Sequence, residues 1–378
     1  MIIYNAKIYT MNDNDDIIEN GYLEYENGKI ISVEEGVPNN IGDKMIDAKG
    51  SSLYPGFIDA HTHLGLFTSG VGIEGEDFNE DSDPITPQLS AIDGINPMDS
   101  AFEDARSAGI TSVAVSPGSS NVICGSVIAT KTMGKRIDTM SLGEVGMKIS
   151  LGENPKMTYL DKDSSPVTRM AIAALIREAL NKAQKYMEDK ELKDEEPEFD
   201  AKCEALIPLL KNEVKAHFHC HRADDIFTAI RIANEFDLDY NLIHCTEGHL
   251  IADELYKEVA SVVIGPIICD KSKPELANLT PSNSYILNSA GVEISICTDH
   301  SEVPIQYLPI SVGIAIKNGL DFYEGLKAVT KTPAKQLGLF NRIGSIEVGK
   351  DADLVMFNTN PFEVMSSPEL VVINGDEI

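Results

Sequence analysis

The stretch YPGFIDAHTHLG, residues 54–65, places two histidines one residue apart at the end of a short apolar run. A Pro-Gly pair precedes the run and a glycine follows it, which predicts a short strand bounded by turns. Side chains alternate along a strand, so Asp59, His61 and His63 share one face. The chain has only eight histidines. The pair therefore indicates either a half-buried strand that carries polar residues or two imidazoles that hold a ligand between them.

Strand-like runs and helical segments alternate through the middle of the chain. The runs include GITSVAVSPG, GEVGMKISLG and ASVVIGPIIC, and helical stretches such as DDIFTAIRIANEFD lie between them. This alternation predicts an α/β protein with a parallel sheet and outer helices, and a length of about 290 residues matches a (β/α)8 TIM-type barrel. Both chain ends are instead rich in strands and turns, with a hairpin predicted at Asn27-Gly28.

The domain organisation follows from this change of pattern. Residues 1–53 and 345–378 are predicted to pair as a small β-sandwich, and residues 54–344 to form the barrel. Residues 166–211 are polar and mostly helical, which predicts a helical insertion after the fourth barrel strand. Its charge run, MEDKELKDEEPEFDAK, is typical of a solvated face or loop.

Composition and charge exclude several classes of partner. The chain has 60 acidic and 31 basic residues, a net charge of −29, which argues against nucleic acid and anionic membranes as partners. The N-terminus lacks a basic, apolar leader, and no apolar run reaches the length of a membrane span. Six scattered cysteines without a CxxC pair indicate reduced thiols. We therefore expect a cytoplasmic protein whose partner is a small-molecule substrate.

Polar side chains recur on one face of the later predicted strands. Alternation groups His217, His219 and His221 in KAHFHCHR, and it places Lys148, His244 and Asp299 on the inner face of three further strands. Unpaired, such groups would be costly in a core, and the mouth of a barrel is where catalytic groups lie. Imidazole and carboxylate suit zinc, iron, manganese or nickel. The sequence therefore predicts a metal site that includes His61 and His63.

Three motifs, YPGFIDAHTH, SICTDH and GSIEVGKDADLVMF, together resemble the amidohydrolase superfamily, and within it the imidazolonepropionase- and prolidase-like branch. The resemblance spans nearly the whole chain. It implies a distorted barrel flanked by a β-sandwich, a homo-oligomer, and one or two divalent metal ions per chain, zinc first, that activate a water. The residues that match the ligand positions are His61, His63, His219, His244 and Asp299, and Asp299 would also shuttle the proton.

The fourth-strand position stays open between two residues. Binuclear members of the superfamily carry a carboxylated lysine there, which Lys148 matches. Glu153 is the alternative, because a turn at Gly152 would bring it to the same face. Otherwise Lys148 would pair with Asp59 or Asp299, and Glu153 would cap local backbone N–H groups.

The reaction implied is hydrolysis of a C–N bond in an amide, cyclic amide or peptide-like substrate. His221 would meet the substrate and polarise its oxygen, while His217 would lie deeper as a core residue. Arg222 could hold a substrate carboxylate or pair with Asp224 or Asp225, and His249 could line the pocket. The loop 67–88 would cover the pocket or form a surface excursion.

Two other functions stay open on the same fold. A deaminase of a heterocyclic amine would use one metal ion, although the order TEGH does not match the HxxE element of deaminases. A non-catalytic scaffold would have lost the centre, and the intact candidate ligands on four strands argue against it.

Overall fold

The computed structural model describes residues 1–38, 44–68, 70–192 and 197–378. Sixteen strands lie in this part of the chain and form two sheets. They are β1 (Ile2–Tyr9), β2 (Ile17–Glu26), β3 (Lys29–Glu35), β4 (Met45–Asp47), β5 (Ser52–Pro55), β6 (Phe57–Thr62), β7 (Ile110–Val115), β8 (Ile123–Lys131), β9 (Ser141–Ser150), β10 (Lys215–Cys220), β11 (Tyr240–His244), β12 (Ser261–Ile264), β13 (Glu293–Ile296), β14 (Leu354–Phe357), β15 (Leu370–Ile373) and β16 (Asp376–Glu377).

Helices connect the strands of the central sheet and cover its outside. The described residues contain α1 (Ala91–Gly94), α2 (Ala101–Ser107), α3 (Ile137–Met140), α4 (Glu153–Leu160), α5 (Arg169–Glu191), α6 (Ala201–Leu210), α7 (Ala223–Phe236), α8 (Ala252–Lys257), α9 (Asn283–Ser289), α10 (Leu308–Lys317), α11 (Phe322–Lys327) and α12 (Lys331–Gln336). In α7, Ile226, Ala229, Ile230 and Ala233 recur at helical spacing and are buried, as an amphipathic helix on a sheet requires.

The central sheet is a nearly closed barrel. Strands β6 to β13 lie side by side in chain order. Between β13 and β6 the ring is completed at its carboxyl end, where the Asp299 N–H donates to the His61 carbonyl at 3.2 Å. The Asp59 carboxylate also accepts the N–H and hydroxyl of Thr298, at 3.0 and 2.6 Å. The predicted α/β barrel is confirmed, and residues 61 and 299 meet at its mouth.

One barrel strand departs from the expected parallel arrangement. β8 pairs antiparallel with both β7 and β9, whereas β6–β7 and the ladders from β9 to β13 are parallel. The physical reason is the short connection 116–122, because a parallel crossover needs a dozen or more residues.

The second sheet is formed by the two chain ends. Its strands lie in the order β16-β15-β14-β5-β1-β2-β3, with β4 against β1, around a separate apolar core. The hairpin between β2 and β3 turns at Asn27 and Gly28, whose φ angles of 51° and 76° are left-handed, as a type I′ turn requires. This confirms the predicted hairpin and the pairing of the ends. The boundaries 1–53 and 345–378 stay a prediction.

The polar stretch after the fourth barrel strand contains α5 and α6, which pack on each other. Thr168 and Asp200 cap their N-termini by accepting backbone N–H groups at 3.1 and 2.9 Å. Part of the predicted charge run, residues 193–196, lies outside the described residues. The helices of the described segments include none with both the length and the apolar character needed to cross a membrane.

Candidate metal centre and active-site cavity

Two histidines from the first barrel strand meet an aspartate that follows the last. His61 and His63 are buried at the carboxyl end of β6. Their Nε2 atoms lie 3.3 and 3.4 Å from Asp299 Oδ1. The three side chains predicted from widely separated motifs therefore converge on one point at the barrel mouth.

The other histidines of the mouth come from the fifth and sixth barrel strands. The rings of His219 and His244 lie 4.6 Å apart, and the His221 ring stacks on that of His244, also at 4.6 Å. Two groups of ligand atoms each lie within 4.8 Å of one another: His219, His221 and His244, and His61, His244 and Asp299. His244 belongs to both groups, so the candidate ligands form one continuous cluster.

Backbone geometry aims two of these residues. His244 and Asp299 have φ angles of 72° and 53°, a left-handed conformation that side chains with a Cβ rarely adopt. Each residue lies at or just beyond the end of its strand. Strained backbone of this kind clusters at functional sites, where the surrounding fold holds it in place.

Hydrogen bonds at Nδ1 fix the tautomer of two of the rings. His63 Nδ1 lies 2.7 Å from the Ser116 carbonyl oxygen, and His244 Nδ1 lies 2.7 Å from that of Gly265. A carbonyl oxygen can only accept, so both Nδ1 atoms carry the proton. Their Nε2 lone pairs are consequently free for a metal ion, in the arrangement typical of metal-binding histidines.

Hydroxyl groups hold the next two rings. Ser119 Oγ lies 2.9 Å from His219 Nδ1, and Thr246 Oγ1 lies 2.7 Å from His221 Nδ1. A hydroxyl can donate or accept, so these contacts orient the rings and allow either tautomer. His219 can therefore serve as a ligand, while His221 can carry a proton on Nε2 and donate it to a substrate.

A divalent cation fits this donor set. His219 Nε2 and Asp299 Oδ1 are buried atoms that make no hydrogen bond within the described residues, and buried polar atoms without a partner are costly. They point to the same region as the Nε2 atoms of His63 and His244. Imidazole nitrogen with carboxylate oxygen is a donor set that binds zinc, iron, manganese or nickel.

Burial sets the charge state of the ionisable groups. It lowers the pKa of His61 and His219 well below the usual value and that of His244 to about 4, so these imidazoles are neutral. It also lowers the pKa of Lys148 and raises that of Asp59 to about 7. Neutral imidazole is the form that binds a metal ion.

The two candidates for the fourth-strand position are placed differently. Lys148 is fully buried on β9, with Nζ 3.2 Å from His61 Nε2. Among the described residues no carboxylate lies within 4.0 Å of that amine, so it does not form the alternative ion pair with Asp59 or Asp299. Glu153 begins α4 and lines the cavity, outside both groups of ligand atoms. The structure thus brings Lys148, rather than Glu153, to the cluster.

A cavity of about 710 Å³ opens above the cluster. His63, His219, His221 and Asp299 form its floor. Its walls come from residues 78–79, from α4 and the residue after it, from parts of the stretch 266–276 and from residues 301–302; they include Phe78, Asn79, Glu153, Asn154, Met157, Asp161, Ile268, Asp270, Lys273 and Glu302. The size suits a small-molecule substrate.

Three other sequence candidates lie away from the cavity wall. Arg222 binds Asp224 through two contacts of 2.9 Å, which is the alternative left open from the sequence. Among the described residues that line the cavity, neither Arg222 nor His249 is present. His217 accepts a hydrogen bond from Asn241 at 3.1 Å and packs against Gly146, deeper in the barrel.

The sequence left open whether the loop 67–88 covers the pocket. Phe78 of this loop lies 5.4 Å from the His63 ring and lines the cavity, so this part of the loop forms part of the cavity wall.

Comparison with known proteins places the chain in a family. Residues 52–378 match the Amidohydrolase family. The chain belongs to the amidohydrolase family. This confirms the recognition made from the three sequence motifs and, at the level of the family, the prediction of a hydrolase that acts on carbon–nitrogen bonds.

Individual relatives add detail. The crystal structure of an amidohydrolase from Thermotoga maritima MSB8 is 38% identical, covers 100% of this chain and 99% of its own, and superposes with a TM-score of 0.95. Amidohydrolase tasK of Hapsidospora irregularis is 28% identical over 94% of this chain, which spans only 39% of that protein. A 5-methylthioadenosine/S-adenosylhomocysteine deaminase of Bacillus thuringiensis is 45% identical over 62 residues, 16% of this chain and 14% of its own.

One cavity residue, Lys273, and its buried partner Glu275 were missed from the sequence. Glu275 is 2% exposed; its Oε2 accepts the Glu153 N–H at 3.0 Å, and its Oε1 lies 3.8 Å from His221 Nε2. Lys273 lies 3.3 Å from the same carboxylate and lines the cavity. Both belong to the irregular stretch KSKPEL after β12, which carries no motif or periodicity. Only the charge of these residues in a loop at the strand's carboxyl end could have indicated them.

Proposed function

We propose that the protein hydrolyses an amide or peptide-like C–N bond of a small molecule by means of a water activated at a divalent metal centre. The observation that carries the proposal is the convergence of neutral imidazole nitrogens and the Asp299 carboxylate on one floor of a cavity, with Lys148 behind them. Membership of the amidohydrolase family supports the same reaction class.

The residues suggest how the work is divided. His61, His63, His219, His244 and Asp299 would hold the metal, which when bound lowers the pKa of a water toward 7 and polarises a carbonyl oxygen. Asp299 Oδ1 would accept the proton of the attacking water and return it to the leaving nitrogen as the C–N bond breaks. His221 Nε2 would donate a hydrogen bond to the substrate oxygen, since Thr246 fixes its ring.

We further propose two metal ions, with zinc as the first candidate and iron, manganese or nickel as alternatives. The support is Lys148, a buried amine without a carboxylate partner among the described residues and 3.2 Å from His61 Nε2. If carbon dioxide added to its neutral amine with release of a proton, the resulting carbamate would offer two oxygen donors for metal ions. Glu153, on the cavity wall, would then meet the substrate rather than the metal.

Deamination of a heterocyclic amine is the second candidate, favoured by the 62-residue likeness to a deaminase. The same floor could direct a water at a ring carbon that carries an amino group. Lys148 favours hydrolysis of an amide or peptide-like bond, because a deaminase with one metal ion does not need a lysine among its metal ligands. Imidazolonepropionase activity, a homo-oligomer and a cytoplasmic location stay predictions.

The test is a comparison of substrate classes on metal-loaded protein. Dipeptides and N-acyl amino acids are compared with aminopurines and amino-pyrimidines by amine and ammonia release, before and after removal of metal by a chelator. We expect cleavage of a peptide or N-acyl substrate that is lost on chelation and restored by zinc. Ammonia release from aminopurines without peptide cleavage would establish the deaminase instead, and turnover that survives complete metal removal would overturn both.

A further inference from the structure

The walls of the cavity carry an excess of negative charge. Besides Asp299 on the floor, four carboxylate side chains line it: Glu153, Asp161, Asp270 and Glu302. Lys273 is the one ammonium or guanidinium on the wall within the described residues. The chain as a whole has about two acidic residues for each basic one. An excess of acids on the wall is therefore expected anywhere on this protein, and what distinguishes the wall is whether its carboxylates have basic partners.

None of the four wall carboxylates has a basic partner. In the described part of the chain, no lysine ammonium or arginine guanidinium lies within 4.0 Å of any of them; Asp270 Oδ1 accepts only the backbone N–H of Lys271, at 2.7 Å. The neighbouring loop 67–88 shows the contrast, because Asp81 pairs with Lys162 at 2.7 Å and Asp83 with Lys202 at 2.6 Å. These two carboxylates beside the cavity are thus paired with lysines, whereas the four on its wall have no such partner within the described residues.

The single wall ammonium is already compensated. Lys273 Nζ lies 3.3 Å from Glu275 Oε1 and donates to Asn154 Oδ1 at 2.9 Å. Glu275 is buried and cannot exchange this partner for solvent. Lys273 therefore cancels the charge of Glu275 and leaves the four exposed or half-buried wall carboxylates uncompensated.

A second observation shows that this acidic region faces a ligand. His221 is 3% exposed and lines the same cavity, and its Nε2 makes no hydrogen bond within the described residues. Glu275 Oε1 lies 3.8 Å away, beyond hydrogen-bond distance, so this buried nitrogen can take a polar group of a ligand as its hydrogen-bond partner. The wall carboxylates surround the space in which that ligand would lie.

We infer that the substrate carries a positive charge, an ammonium or guanidinium group, on the part that lies against the wall formed by Asp161, Asp270 and Glu302. The inference rests on the proposed function and specifies its substrate class. Arg222, considered from the sequence as a carboxylate anchor, is bound to Asp224 and does not line the cavity, so no wall cation remains for an anionic substrate.

The size of the effect follows from Coulomb attraction. A carboxylate about 7 Å from an ammonium in a water-like dielectric changes affinity by about threefold at low ionic strength, and less at physiological salt. Three such carboxylates together give roughly a tenfold preference or more for a cation over a neutral substrate of the same shape. The preference should fall as salt is added.

The experiment uses metal-loaded protein and four sets of dipeptides. The sets differ in one residue, which is lysine, norleucine, methionine or glutamate. In each set this residue is placed on one side of the scissile bond and then on the other. We expect kcat/KM for lysine to exceed that for norleucine about tenfold at low salt, with glutamate the poorest. The triple variant Asp161→Asn, Asp270→Asn, Glu302→Gln should reduce the lysine preference, taken as the ratio of the lysine to the norleucine kcat/KM, about tenfold.

A matched control removes one charge at the opposite end of the barrel. Glu213 is exposed and precedes β10 at its amino end, so Glu213→Gln should keep the lysine preference and its salt dependence. Equal hydrolysis of lysine and norleucine peptides by wild type, unchanged in the triple variant, would overturn the inference and leave the proposed function standing.

A binding measurement distinguishes a failure of the proposed function from a failure of the inference about a cationic substrate. If no peptide is cleaved, the proposed function fails, and calorimetric titration with lysine amide and norleucine amide still decides the inference. Tighter binding of lysine amide that is lost in the triple variant would uphold a cation-binding cavity. Equal binding of the two amides, or no difference between wild type and triple variant, would overturn it.

Discussion

Two buried ionic clusters in this barrel have opposite characters. The mouth cluster consists of His61, His63, Lys148, His219, His244 and Asp299, at the carboxyl end of the strands. The seam cluster consists of Lys131, Asp351 and Asp353 and joins the end of β8 to the second sheet. In both, every residue is at most 9% exposed.

The seam cluster is fully paired. Lys131 binds Asp353 and lies 3.1 Å from Asp351, which also accepts from Lys29 at 2.6 Å and from Arg342 at 3.0 Å. Asp353 accepts the Asn374 N–H at 2.9 Å as well. Within the mouth cluster, His219 Nε2 and Asp299 Oδ1 make no hydrogen bond to the described residues. Full pairing indicates a structural joint, whereas orphaned atoms that converge indicate a ligand site.

The largest effect is expected at the mouth. Asp299→Asn removes the proposed base and ligand, so kcat/KM should fall by roughly a thousandfold, while the urea unfolding curve of metal-free protein changes little. The matched control is Asp239→Asn, an exposed residue at the amino end of β11. An Asp299→Asn variant with activity near wild type would remove that residue from the mechanism.

The seam should respond in stability instead. Lys131→Met leaves two buried carboxylates with fewer partners, and we expect a loss of about 3–5 kcal/mol in the free energy of unfolding by urea. Lys29→Met removes a half-exposed partner of the same Asp351 and should cost less than about 1 kcal/mol. Both variants should keep the metal content per folded chain. A drop in metal content for Lys131→Met would break the distinction between the two clusters.

A smaller effect is expected behind the ligands. Ser119→Ala removes the hydroxyl that orients His219, and metal affinity measured by chelator competition should fall by roughly 10- to 100-fold. Ser120→Ala is the matched control, since its hydroxyl makes no hydrogen bond to a histidine within the described part of the chain; its backbone N–H donates to Asn79 Oδ1. Equal affinities in the two variants would mean that the ring is held by packing alone.

The smallest effect is expected at Arg222. Its guanidinium is paired with Asp224 on the surface, and exposed pairs contribute little. Arg222→Gln should change kcat/KM by less than about twofold and stability by less than about 1 kcal/mol. A tenfold rise in KM for a carboxylate-bearing substrate would restore it as a substrate anchor.

The barrel and most of the mouth cluster could be predicted from the sequence, because strand periodicity and the HTH and TDH motifs are local signals. The direction of β8 was not predicted, since apolar runs do not encode strand direction and only the short connection 116–122 reports it. Strict alternation also ends at residues 244 and 299, where left-handed backbone aims the side chains. Glu275 and Lys273 were not predicted, because tertiary packing brings that loop to His221 and their charge at the end of a strand was the one signal in the sequence.

The most direct test of the proposed two-metal hydrolytic centre is the metal content per chain. It is measured by inductively coupled plasma mass spectrometry on wild type, Lys148→Ala and Glu153→Ala. We expect about two metal ions per chain in wild type and in Glu153→Ala, and a loss of metal in Lys148→Ala alone. A content of about one ion per chain that is unchanged in Lys148→Ala would contradict the two-metal centre and favour deamination. No metal even after reconstitution would contradict the hydrolase itself.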